Sequence, residues 1–293
     1  MRARLKPSRY LLATGTALIL AMATAALAQR PRGGGGFGGG GFRQQLPRLK
    51  NVPYDGRFTF VRMNYDSTPD GYWYGGTPAW SHGYPVAEKN LVQIMNEVSY
   101  LGANPDGFNS LRFDDPELYK YPIAYVIEPD WWNITEAEEK GLRDFMLKGG
   151  FVIVDDFKVM GRRGFGGFRG GQGGEYVREL PYGGGGWPSF EAMMKHVMPN
   201  YKFFDMDPTH PVFHSFFEIN RLDNFPQAYI GGSPVFRAMY EDNDPGKRIM
   251  MVVNYNTDIS QYWEWSGRGF RPFEDTNEAY KLGVNYLIYG LTH

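Results

Sequence analysis

The stretch GGFVIVDDF, residues 149–157, constrains the fold of this chain more than any other. Four apolar residues, 151–154, run without interruption between two glycines and the paired acids Asp155 and Asp156. An amphipathic helix or a half-buried strand of this length would break the run with a polar residue. A strand covered on both faces does not, and such strands belong to parallel sheets flanked by helices. The residues just upstream agree with a crossover unit. Thr135-Glu136-Ala137-Glu138 is a capping box, Leu142, Phe145 and Met146 share one helical face, and Gly149 stands after the last turn.

The pattern extends in both directions. RFTFVRMNY reads as a first strand; Leu91, Ile94, Met95, Val98 and Leu101 recur at helical spacing up to Gly102; SLRFDD and IAYVIEP read as further strands. Strand, helix, strand, strand, helix, strand predicts an open α/β sheet with right-handed crossovers. Ligands of such sheets gather beyond the carboxyl ends of the strands, which is where Asp155 and Asp156 are expected. Residues 160–187 are too glycine-rich for a regular element and read as a long loop. Helical signals resume at SFEAMMKHVM, with Phe190, Met193, Met194 and Val197 on one face and Ser189 able to cap. YIGGSPVFRAMYE and KRIMMVVNYN read as strands around the turn DNDPGK, and NEAYKLGVNYLIYGL as a closing helix.

The amino-terminal fifth is of another kind. Arg2, Arg4, Lys6 and Arg9 precede an apolar run from Leu11 to Leu27, and Ala26-Leu27-Ala28 supplies a small-x-small pattern, so residues 1–28 read as a secretory signal with the mature chain starting at Gln29. An uncleaved anchor is the alternative, but the run is short and broken by Thr14, Gly15, Thr16 and Thr24. Residues 29–50, Gly-rich and basic, read as a flexible linker to a single domain over 51–293. The expected location is therefore periplasmic, with no membrane span after signal removal.

Composition excludes several function classes. There is no cysteine, hence no thiol nucleophile, thiolate metal site or disulfide. Residues 1–50 hold nine of the 31 Lys and Arg and none of the 32 acids, leaving 22 basic against 32 acidic residues in the rest. A folded part that acidic is a poor partner for nucleic acid.

Three clusters could carry chemistry. Asp155 and Asp156 are adjacent, and neighbouring strand residues point to opposite faces, so they share one pocket only if the strand has already turned. In DMDPTHPVFHSF, Asp205, Asp207, His210 and His214 fall within ten residues; a helix starting at Pro211 would align the two imidazoles at metal-ligand spacing, but a structural role with the ring bonded to backbone is the simpler reading, and no metal or cofactor is expected. His210 is the candidate imidazole partner of the aspartates because His titrates near neutral pH. The third cluster is aromatic: Tyr65, Asp66, Trp80 and His82 after the first strand, with Trp131 and Trp263 after later ones, could form a stacking platform for a sugar.

FTFVRMNYDS, LVQIMNEVSYLGANPD, the long segment from YPIAYVIEPDWWNITEAEEKG to LKGGFVIVDDF, DPTHPVF and IMMVVNYNTDISQYWEW together resemble a bacterial family known as domain of unknown function 4159, over about residues 55–290. The resemblance implies a three-layer, flavodoxin-like α/β fold akin to class I glutamine amidotransferases and trehalose-utilisation-type proteins, and brings no established activity. In those amidotransferases the strand corresponding to GGFVIVDD leads into a turn bearing a catalytic Cys; here the turn offers Asp155, Asp156 and Phe157, which excludes thiol-based glutamine hydrolysis. The resulting expectation is a non-catalytic binding or scaffold module of the cell envelope, with a carbohydrate or an envelope protein as partner. The alternative is a hydrolase acting on a glycan or cell-wall-related substrate through Asp155 or Asp156 with His210.

Overall fold

A computed structural model of the chain describes residues 50–68, 71–73, 76–157, 186–225, 233–269 and 271–293. In chain order the elements are β1 (Phe60–Met63), β2 (Tyr72–Trp73), β3 (Thr77–Pro78), α1 (Val86–Val98), β4 (Phe108–Leu111), β5 (Ile123–Ile127), α2 (Glu136–Leu147) and β6 (Phe151–Phe157), then α3 (Gly186–Val197), β7 (Phe204–Asp205), β8 (Val235–Tyr240), β9 (Ile249–Tyr255), α4 (Ile259–Glu264) and α5 (Phe273–Thr292). The expected signal segment, the basic linker apart from Lys50, and residues 160–185 of the expected glycine-rich loop lie outside the described residues.

The main sheet has seven strands in the order β4-β1-β5-β6-β9-β8-β7. The first five are parallel to one another, β8 is antiparallel to β9, and β7 to β8. Numbered along the chain, the parallel strands stand in the order 2-1-3-4-5, the flavodoxin-like arrangement. β6 is the central strand and all seven of its residues are buried, as the unbroken apolar run requires. A separate two-stranded hairpin pairs β2 with β3.

Helices cover both faces. Ile123, Tyr125, Phe151 and Ile153 pack with Leu91 and Met95 of α1, Tyr262 and Trp263 of α4, and Leu282, Tyr286 and Leu287 of α5. Ala124, Val126, Val152 and Val154 point the other way, onto Leu142, Phe145 and Met146 of α2 and Phe190, Met193 and Val197 of α3. The alternation of the two sets along each strand is the period of two that a covered β-strand imposes. The capping box at Thr135 is formed, with the Glu138 backbone N–H donating to Thr135 and the Glu138 carboxylate accepting from the Thr135 N–H. Gly141, in mid-helix, is needed for close approach, since a Cβ there would fall 1.9 Å from the Phe113 carbonyl oxygen.

Three boundaries differ from the sequence reading. α1 stops at Val98 rather than near Leu101, because the Asn96 side chain bonds both backbone groups of Ala103 and draws the chain off the helix axis. α3 begins at Gly186, two residues inside the stretch expected to be loop; the Asp130 carboxylate accepts the Gly186 N–H and holds that end. Residues 259–264, to which the sequence pattern assigns no element, form α4, started by Asp258 accepting the Gln261 N–H. Among the described residues no helix is long and apolar enough to cross a membrane.

Candidate functional site

The end of β6 answers how two adjacent acids can both leave an apolar strand. Val154 pairs with Val253 and Phe157 with Tyr255, so three residue steps on β6 oppose two on β9. The extra residue makes a bulge, centred on Asp156 with φ of 51°. Asp tolerates this left-handed backbone better than most residues. The bulge hands the α2 and α3 face to Phe157, which packs on Trp187, Phe190 and Tyr255, and it turns Asp156 towards the strand ends. Left-handed residues also close the neighbouring strands: Glu128 follows β5 at φ 49° and Asn256 follows β9 at φ 58°. Three such positions side by side store a few kcal/mol of backbone strain, a pattern typical of sites rather than of plain connections.

Asp155 stays in the sheet and anchors it. Its carboxylate accepts from the Tyr125 hydroxyl at 2.7 Å, from Asn254 Nδ2 at 3.2 Å, and from the Ile259 and Ser260 N–H groups at 3.2 and 3.0 Å, tying the start of α4 to the central strand. Tyr286 on α5 extends the network by donating to Asn254 Oδ1 at 2.8 Å. Burial raises the Asp155 carboxyl to about 6; the Tyr125 hydrogen bond opposes that rise, and the nearby Asp156 adds to it.

His82 reaches this edge from the segment after β3. The guanidinium of Arg62, fully buried on β1, donates to the carbonyl oxygens of Trp80 and His82 at 2.9 and 3.1 Å and pairs with Glu88 of α1 at 2.5 Å. Its guanidinium carbon lies over the rings of Tyr125 and Tyr84, 5.0 and 5.7 Å from their centroids. A buried ion pair thus holds the backbone that presents the imidazole. His82 Nδ1 then lies 3.3 Å from Glu128 Oε1 and 3.4 Å from Asp156 Oδ2. Asp258 completes the group: one ligand atom each of His82, Asp156 and Asp258 falls within 4.8 Å of the others. The Glu128 and Asp156 side chains are 3% and 1% exposed against 31% for His82, so the imidazole is the member that meets solvent. Burial on its own would lower the His82 pKa, but the contacts to Asp156 and Glu128 dominate and push it up to about 11. Tyr65 underlies the cluster, with its hydroxyl 2.7 Å from the Glu128 carbonyl oxygen.

A family model described as a domain of unknown function (DUF4159) matches residues 59–291. The chain belongs to the DUF4159 family. No curated protein matches it significantly. The matched span of the DUF4159 chain takes in every strand and all of the cluster.

The sequence-derived candidates of this DUF4159 chain divide by position. Asp155, Asp156, His82 and Tyr65 converge at the carboxyl edge. Trp80 and Trp131 are half-buried on the segments that carry His82 and Glu128. Asp66 is exposed and bonded to Arg112, and Trp263 is core, its indole N–H donating to the Ala279 carbonyl. His210 does not join the aspartates. Its Nδ1 accepts the Val212 N–H, and its ring lies against Tyr240 and Tyr289. Tyr240 pairs with Ile249, the first residue of β9, which places His210 at the amino edge, about 20 Å of strand from the cluster. Residues 211–214 form a short 3₁₀ turn, and His214 bonds Glu218 and the Pro208 carbonyl, so the two imidazoles do not face one another as metal ligands would. Glu128 and Asp258 were absent from the sequence candidates. Arg62, a charged residue buried in the otherwise apolar β1, was the available signal that something was being held in place.

Proposed function

We propose that the chain is a ligand-binding module of the cell envelope whose site is the His82, Glu128, Asp156 and Asp258 cleft at the carboxyl edge of the sheet. The observation that carries this reading is the convergence of three buried carboxylates, from the ends of three adjacent parallel strands, on one imidazole that meets solvent. Carboxylate oxygens accept hydrogen bonds from hydroxyl groups, and Trp80 and Trp131 on the adjoining segments offer amphipathic surface, so a cell-wall glycan is the ligand class we favour. The amidotransferase-like ancestry and the kinship to trehalose-utilisation-type proteins, carried by the GGFVIVDDF segment, belong to the same proposal. So does export through residues 1–28.

Hydrolysis fits less well. The imidazole beside the aspartates is His82, not His210, and an imidazole protonated up to about pH 11 has no basic lone pair to offer at neutral pH.

Thermal melting of the purified full chain against a panel of cell-wall oligosaccharides tests the binding reading. A ligand at 100 times its Kd adds about 2.7 kcal/mol, a rise of roughly 5–10 °C for a domain of this size. No rise across the panel contradicts the glycan assignment. Fractionation with sequencing of the mature amino terminus tests export; the expected first residue is Gln29.

A further inference from the structure

Resting on the same cleft but not on a glycan, we infer that His82, Asp156 and Asp258 form a site for a divalent transition-metal cation, with Glu128 as a fourth donor. The spacing argues for it. A protonated imidazole that makes good ion-pair hydrogen bonds sits about 2.7–2.9 Å from its carboxylates. His82 Nδ1 instead lies 3.3 Å from Glu128 and 3.4 Å from Asp156, wider than the spacing of a tight ion-pair bond. Ligand atoms bound at about 2.0–2.2 Å around one ion are themselves roughly 3.0–3.5 Å apart when adjacent and at most about 4.4 Å apart when opposite. The observed 3.3 and 3.4 Å separations match adjacent ligands, and the trio, whose ligand atoms lie within 4.8 Å of one another, closes by a few tenths of an ångström if its widest pair takes opposite places on an octahedral ion and by about 1.3 Å on a tetrahedral one.

The scaffold is that of a held site. The donors come from four separated segments: the Arg62-pinned backbone at His82, the residue after β5, the bulge of β6, and the cap of α4. Asp258 is fixed by accepting from Ser260 and Gln261, and Asp155, one residue from Asp156, ties the start of the same helix to the sheet. One nitrogen among carboxylate oxygens suits Zn²⁺ or Mn²⁺; Ca²⁺ and Mg²⁺ prefer shells made of oxygen. The cation takes the place of the proton that otherwise stands between the ring and its carboxylates.

The test uses the full chain, stripped with EDTA and titrated with Zn²⁺ and with Mn²⁺ by calorimetry and thermal melting. One equivalent of at least one ion should bind with a rise in melting temperature, while Ca²⁺ and Mg²⁺ bind more weakly. Asp156→Asn and Asp258→Asn keep, respectively, a residue that accepts left-handed backbone and one that caps a helix. Each should weaken binding at least about ten-fold, while Asp66→Asn, on the exposed Arg112 pair, should leave it unchanged. Should one variant fail to fold, the other carries the comparison. Absence of stoichiometric binding by the wild type, or wild-type affinity in a folded Asn variant, overturns the inference. Running the oligosaccharide panel on the EDTA-stripped chain separates the two ideas: melting shifts without metal binding remove the cation alone, and metal binding without shifts removes the glycan alone.

Discussion

The two edges of the sheet each hold a histidine, and the two rings differ in what surrounds them. At the amino edge His210 packs on Tyr240 and Tyr289, its Nδ1 accepts a backbone N–H, and burial lowers its pKa with only partial opposition from Asp207. Every feature there is what a turn docked on an aromatic surface requires. At the carboxyl edge His82 stands between Glu128 and Asp156, neighbouring strands end in left-handed residues, and the ring holds its proton up to about 11. One residue type thus gives a neutral wedge at one edge and a cation among acids at the other. Position near a histidine in sequence says little about function until the strands assign it to an edge.

Substitutions can break or sharpen this contrast. The largest effect is expected from Arg62→Met, which leaves Glu88 charged and buried, a state already disfavoured by burial and made tolerable by Arg62. Urea unfolding should show a loss of about 3–5 kcal/mol, with loss of ligand or metal binding because the His82 backbone is released. Next is Asp155→Ala, which strands the Tyr125 hydroxyl and two N–H groups of α4; a loss of roughly 2–3 kcal/mol is expected. At Asp156 the backbone can be separated from the charge: Asp156→Val should cost about 1–2 kcal/mol more than Asp156→Asn, because a β-branched residue resists φ of 51°. The smallest effect belongs to the amino edge. His210→Ala removes a cap and should cost about 1 kcal/mol while leaving binding at the carboxyl edge intact.

Much of the framework was legible from particular residues. The 151–154 run gave a central buried strand, the Thr135 box gave the start of α2, and the element order gave an open parallel sheet. β7, with two residues, and α4, with six, were too short to show a period. The placement of Asp155 and Asp156 at the carboxyl end of a buried strand was legible, but the groups that meet each of them were not. The local wealth of Asp205, Asp207, His210 and His214 pointed to the wrong edge, whereas His82 lies 74 residues from Asp156 and is brought there by Arg62 and Glu88. Strand order, which no local spacing encodes, decides which loops meet. Arg62 in an apolar strand was the one clue to that convergence.

The central claim is that His82 sits among carboxylates, and its titration tests this most directly. Because the folded pKa is raised, the stability His82 contributes is fully present below about 6.5, its ordinary value, and is lost as pH climbs towards 11. Nitrogen-15 NMR of the His82 ring in the metal-free full chain, assigned with His82→Gln, should show a doubly protonated imidazole at pH 8 that stays so beyond pH 9. A ring that loses its proton near 6.5 would contradict the account.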